Sequence, residues 1–267
     1  NNSRCAATGN YCQGPFEKRT HIAYKRSRGN CAGHYGGRTC KQIKHMVQAR
    51  EEKIAFWINL YNVIVIHAVI ELGIRNSVRE VRNFFKRVRY QIGTMHFTPF
   101  DIEHGILRGN RRPPYSLFHA FSDDDERLAW RVEPLDPRIH FALVCASSSC
   151  PPIDAYTAEN IDEELEISGR TFLNAGGLVI DRPNKTVSLS RIFKWYASDF
   201  GENQADILRY APHYLYGGED RLFLGKHAGE IKVDYQDYDW GLTAPGVENA
   251  NPRFRFNRFS ANAKHLR

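Results

Sequence analysis

The chain has 267 residues, 42 % hydrophobic and 12 % aromatic, enough to fill a sizeable core in one large domain or two small ones. Its net charge is +7, but the basic residues are scattered apart from Lys86-Arg87-Val88-Arg89 and Arg111-Arg112, and no nucleic-acid-binding motif accompanies them. Nucleic acid is therefore not expected as a partner; anionic partners are permitted but not required.

The chain begins with Asn and carries no apolar signal segment, so it reads as a processed or truncated product. Residues 1–40 are polar, rich in Gly and Arg, and hold Cys5, Cys12, Cys31 and Cys40, with His21, His34 and His45 nearby. This is an irregular arm, either stapled by disulfides or knotted around a metal, although its spacings fit no zinc pattern. Disulfides would need a secretory compartment. The sequons Asn1-Asn2-Ser3 and Asn184-Lys185-Thr186 are compatible with one, so the reading leans to a secreted or lumenal protein.

Lys41 to Glu52 is charged and helix-compatible, leading into Ile54–Leu72, IAFWINLYNVIVIHAVIEL. That stretch is apolar on every face, the pattern of a helix buried on most sides. Asn59, Asn62 and His67 near its middle argue against a membrane span, and no other stretch is long enough to make one. Buried amides need partners, so Asn59 and Asn62 either serve the core or line a site. Gly73 ends the helix as a C-cap would.

Arg87–Phe97 reads as a hairpin turning at Gly93-Thr94, followed by a short helix over Phe100–Leu107 and another over Asp123–Trp130. Arg138–Val144, RIHFALV, has the composition of a buried strand running into the loop Cys145–Pro152. A helix follows from Thr157 to Leu173, then a hairpin of Leu178–Ile180 with Thr186–Leu189. Ser190 caps a helix carrying Ile192, Phe193, Trp195 and Tyr196, Ala205–Tyr210 is helical, and Ile231–Tyr235 is a last strand. Helices and hairpins mix without βαβ alternation, which favours an α+β fold: a buried central helix packed with further helices against a small, mostly antiparallel sheet. The division expected is the arm 1–40, a single domain 41–245 and a basic tail 246–267.

Chemistry is expected at the end of the 138–144 segment. Cys145 stands there with Cys150 five residues on, and His140 within a regular strand would point to the opposite face. Glu103-His104 supplies a second histidine, although adjacent helical residues point about 100° apart and should not face one point. A thiol nucleophile needs a base within reach and a third group to orient it. Cys145 with His104 as base, and Asn62 or Glu103 as orienting group, makes a plausible thiol hydrolase; Asn59, His67, His140 and Cys150 are supporting candidates. The competing readings are inert packing of the cysteine, a local Cys145–Cys150 disulfide, or a Cys/His zinc site. Asp199, Asp239 and Trp240 are explained by capping or core packing.

The segments FWINLYNVIVIHAVI at 56–70, DIEHGILR at 101–108, RIHFALVCASSSCPPI at 138–153 and IFKWYASDF at 192–200 are together similar to domain-of-unknown-function family 547. YTAENIDEELE at 156–166 and YDWGL at 238–242 extend the resemblance over about Glu51–Leu242. The matching motif positions are Asn59, Asn62, His67, Glu103, His104, His140 and Cys145; the Cys150 position varies among plant members. The resemblance implies no settled activity. The leading expectation is a peptidase- or amidase-like hydrolase using Cys145, with no cofactor and no metal. The alternative is a non-catalytic module that binds a protein or peptide through its surface and uses the polar residues as core.

Overall fold

The computed structural model describes residues 47–242, so the expected arm, its four cysteines and the tail lie outside the described residues. Arg50–Glu71 forms α1, the longest helix described. Glu51 and Glu52 sit in its first turn, where a negative charge suits the macrodipole, and the Glu52 carboxylate accepts from the backbone N–H groups of Gln48 and Ala49. At the other end Gly73 takes φ +60°, the Gly73 N–H donates to the Ile70 carbonyl, and the Ile74 N–H reaches back to Val69. That pair of bonds is a Schellman cap, which needs a residue tolerant of left-handed φ at Gly73. Ile54, Trp57, Ile58, Tyr61, Ile64 and Val65 are buried around most of the helix, while Val63, His67 and Ile70 form one exposed strip. α1 is long and apolar enough to cross a membrane, but protein surrounds half of its most apolar window.

The short α2 (Phe84–Arg87) leads into a hairpin of β1 (Tyr90–Ile92) and β2 (Met95–Phe97), turning where expected. The next helix departs from expectation. Asp101–Leu107 is a π-helical turn, with the Arg108 N–H bonded to the carbonyl of Glu103, five residues back. Thr98 and Asp101 cap each other's backbone N–H at its start. Gly105 lies so close to Phe121 that a Cβ would meet the ring at 2.2 Å, so the turn docks against its neighbour only with glycine there. The segment after Asp123 forms a short 3₁₀ turn at Glu126–Trp130.

The expected strand at Arg138–Val144 is absent. Pro137–Phe141 is a 3₁₀ helix, capped by the Asp136 side chain on the Arg138 N–H; Ala142 closes it in helical conformation, and residues 143–144 belong to no helix or strand. β-Propensity reports fit to a half-buried pleated surface, and here burial alone satisfied it. Ile139, Ala142 and Leu143 pack into the cluster around α1, whereas Phe141 packs into a second cluster with Phe172, Phe193, Phe200 and Tyr214. The backbone bonds a strand partner would supply come from α1. The Asn62 amide donates to the Ala142 carbonyl at 3.0 Å and accepts from the Val144 N–H at 2.9 Å. Asn59 repeats the device on Tyr156, donating at 2.7 Å and accepting at 3.0 Å.

Ile161–Phe172 forms α3. β3 (Leu178–Asp181) pairs antiparallel with β4 (Thr186–Leu189), and β5 (Lys232–Tyr235) adds parallel to β4. Between β4 and β5 run α4 (Arg191–Trp195), capped by Ser190 as expected, α5 (Ala197–Phe200), α6 (Gln204–Tyr210) and α7 (Gly218–Lys226). α7 has no clear apolar stripe, which is why periodicity does not reveal it. The fold class is α+β. After β5 the chain returns to the 145–150 loop, where Ser147 bridges Leu242 and the Ser148 N–H bonds the Gly241 carbonyl at 2.8 Å.

Removing the Asn62 amide leaves a buried carbonyl and a buried N–H unpaired, each worth about 1–3 kcal/mol. Asn62→Ala should therefore lower the unfolding free energy by about 2–4 kcal/mol in urea titrations with little change in slope. A loss below about 0.5 kcal/mol, the level of a neutral surface change, would show that the clamp is dispensable.

Candidate functional site

A cavity of about 410 Å³ lies where α1, the π-helical turn, the 143–151 segment, α4 and the 238–240 segment meet. Its walls are aromatic, with Tyr61, Phe100, Trp195, Tyr196, Tyr238 and Trp240, and its polar lining includes Glu103, His104, Cys145 and Cys150. Glu103 and His104 therefore both reach the same cavity, against the expectation from α-helical geometry. The wider π turn changes the angle between neighbouring side chains, and a cavity of this size is large enough to touch both.

Cys145 and Cys150 are joined in a disulfide. Of the alternatives the sequence leaves open for this pair, the local disulfide is the one formed. Two hydroxyls flank it: Tyr238 Oη lies 3.0 Å from Cys145 Sγ and 3.3 Å from Cys150 Sγ, and Ser147 Oγ lies 3.1 and 3.3 Å from the same atoms. The Asn62 clamp on Ala142 and Val144 fixes the chain immediately before Cys145, so Asn62 positions the cysteine loop and touches neither histidine by any hydrogen bond described.

Glu103 accepts from two tyrosines, Tyr61 Oη at 3.3 Å and Tyr196 Oη by a shorter bond. Burial pushes its carboxyl up, but the nearby imidazoles and guanidinium and the Tyr196 hydroxyl outweigh that and hold it below the ordinary value, so it is ionised. Burial, and then Glu103, push Tyr61 and Tyr196 well above the ordinary phenol range, so both remain donors. Burial likewise raises Tyr238 to about 12.

His104 is held differently. Arg108 Nη1 lies 3.1 Å from His104 Nδ1. A guanidinium can only donate, so Nδ1 must accept and the imidazole proton sits on Nε2. Burial first, and the charge of Arg108 next among the lowering causes, bring its pKa to about 4 against the pull of Glu103. His104 is a neutral imidazole with an N–H to offer. The same guanidinium binds Asp199 twice, Nε to Oδ2 at 2.5 Å and Nη2 to Oδ1 at 3.0 Å, and also donates to the Arg112 carbonyl. His140 Nε2 bonds Asp199 at 2.8 Å, and its ring stacks on Tyr196 with centroids 3.9 Å apart. Burial lowers the His140 pKa, and Asp199 is held well below the usual carboxylate range because its bonds from His140 and Arg108 overcome burial.

His140 is thus part of the buried network behind the cavity and does not line it. His67 is exposed, bonded to Tyr90 and near Glu71, away from the cavity. Asn59 serves the Tyr156 backbone. Sequence reasoning missed Arg108, Tyr61, Tyr196 and Tyr238 as site residues and read Asp199 only as capping or packing. One signal was available for Arg108: it follows His104 by four residues, the spacing of neighbours on one helical face. Among the described residues, no group of three or more His, Cys, Asp or Glu side chains is placed to hold a metal ion.

Protonation of His104 gives a test of its setting. Unfolded, it takes a proton near pH 6.5; folded, near pH 4. Between those values the unfolded state binds more protons, so stability is lost as pH falls through the window, with His104 contributing about 1.4 kcal/mol per pH unit at most. His140, also lowered, adds in the same direction. Urea titrations from pH 7 to pH 4.5 should show this slope, and His104→Gln should flatten it. An equal slope in both proteins would show that His104 titrates normally.

Residues 45–173 match the family model described as Protein of unknown function, DUF547. No curated protein and no solved structure matches the chain. The matched region supplies α1, the π-helical turn, both cysteines and α3; Trp195, Tyr196, Asp199 and Tyr238 come from the chain beyond it. The chain that builds this cavity therefore carries a domain of the DUF547 family.

Proposed function

We propose that the cavity is the active site of a thiol-dependent hydrolase, peptidase- or amidase-like, that works from the reduced form of the Cys145–Cys150 pair. One observation carries the reading: Cys145, an ionised carboxylate and a neutral imidazole with an N–H to donate line the same aromatic cavity. A dithiol reductant supplies the two electrons and two protons that open the disulfide. The hydroxyls of Tyr238 and Ser147, already beside the sulfur, then stabilise a Cys145 thiolate.

The roles differ from the expected ones. His104 is not the base because its Nδ1 already accepts from Arg108 and its Nε2 already carries a proton. Glu103 is the ionised group facing the cavity and takes the thiol proton. Cys145 Sγ bonds to the substrate carbonyl carbon, and the carbonyl oxygen becomes an oxyanion that accepts from His104 Nε2–H. Collapse expels the amine, which takes the proton back from Glu103, and water releases the acyl group from sulfur. Asn62 acts through the backbone it clamps and is a positioning residue.

The disulfide itself favours a second reading, a non-catalytic binding module, since it leaves neither cavity sulfur free. The two readings part on one experiment. Reduced protein mixed with p-nitrophenyl acetate should give a burst of p-nitrophenolate, with one acetyl group on Cys145 by mass spectrometry. Cys145→Ala should abolish the burst, and Glu103→Gln should slow it by about 10²–10⁴-fold, the usual worth of a general base. No burst from the reduced native protein, or acetylation that persists unchanged in Cys145→Ala, would leave only the binding module.

A further inference from the structure

The rim of the cavity combines two features that the hydrolase reading does not use. The first is a loop that carries large apolar side chains into solvent: Tyr115 is 85 % exposed, Leu117 82 % and Phe118 78 %. This loop is tied at its base. Asn110 both donates to and accepts from the Phe121 backbone, at 3.1 and 3.0 Å, the Ser116 N–H bonds the Pro113 carbonyl, and the Phe118 N–H bonds Ser116 Oγ. Side chains so exposed on a tied loop stand off the surface and do not lie along it.

The second feature is charge. Residues 81–100 and 104–122 contain no Asp or Glu. They hold the exposed cations Arg82, Lys86, Arg89, Arg111 and Arg112. Both segments line the cavity, one through Phe85 and Lys86 and the other through Pro114 and Tyr115. Arg111 also contacts Asp199 at 3.4 Å, so it is anchored while half exposed.

We infer that this rim docks the protein onto an anionic lipid surface, with Tyr115, Leu117 and Phe118 entering the headgroup–acyl boundary and the surrounding Arg and Lys facing anionic headgroups. Protruding aromatic and aliphatic side chains flanked by cations are the composition of an interfacial anchor. Within these two segments no carboxylate opposes a continuous negative surface, which polybasic segments seek; the exposed Asp123 and Asp124 begin past the base of the loop. A free anion would engage the cations and make no use of the apolar tip. Because Lys86 and Tyr115 also line the cavity, the docked surface adjoins it.

The test is co-sedimentation of the full chain with phosphatidylcholine vesicles, with and without phosphatidylserine. The protein should sediment with the phosphatidylserine vesicles and be released by salt. Leu117→Asp combined with Phe118→Asp, both exposed and so compatible with an unchanged thermal unfolding curve, should weaken binding by about tenfold or more. Arg111→Gln with Arg112→Gln should weaken it on anionic vesicles only. The inference is overturned if the full chain does not sediment, if the Leu117/Phe118 variant binds as well as the native protein, or if those substitutions change self-association in ultracentrifugation and leave vesicle binding alone. Cys145→Ala should bind vesicles normally, so a failed hydrolase reading leaves this result readable.

Discussion

The arrangement around the cavity depends on the Arg108–Asp199 ion pair. The side chains are 2 % and 0 % exposed, a setting in which each charge alone would be costly. The pair is tolerable because nearly every donor and acceptor is used. Arg108 serves Asp199, His104 and the Arg112 carbonyl, while Asp199 also receives His140 and Arg111. The bonds join the π-helical turn, which belongs to the cluster around α1, to α5, which belongs to the cluster around β3–β5. They also decide chemistry. A donor on His104 Nδ1 fixes the tautomer, and an Asp199 committed to Arg108 leaves Glu103 as the cavity's own anion, held by tyrosine hydroxyls.

A second constraint places the cysteines. The two amides of α1 act as substitute strand partners, one for residues 142–144 and one for Tyr156. They bracket the loop that carries Cys145 and Cys150, and Tyr238 closes over the sulfurs from near the end of the described residues. Helix, loop and the returning 238–242 segment thus converge on one volume although they are separated by nearly the whole described sequence.

Much of this was legible in the residues. The apolar run at 54–72, its Gly73 cap, both hairpins and the Ser190 cap follow from periodicity and turn chemistry, and the structure holds each of them. Grouping Asn62 with Cys145 in one site places it beside the right segment, but it bonds the backbone there and orients no histidine. What failed did so for local reasons. RIHFALV has strand composition, but Asp136 and Pro137 start a 3₁₀ turn there and no neighbouring strand competes. The π turn at 101–107 depends on packing Gly105 against Phe121, a contact that spacing along the chain does not reveal. The roles of Arg108, Asp199 and Tyr196 rest on contacts across about ninety residues, which no pattern in a single sequence announces.

A buried guanidinium makes His104 a neutral donor in the cavity. Nitrogen-15 shifts of the His104 imidazole at pH 7 test it most directly. A neutral ring with the proton on Nε2 is expected in the native protein, with loss of that preference in Arg108→Met. An imidazolium, or a neutral ring protonated on Nδ1, would contradict it.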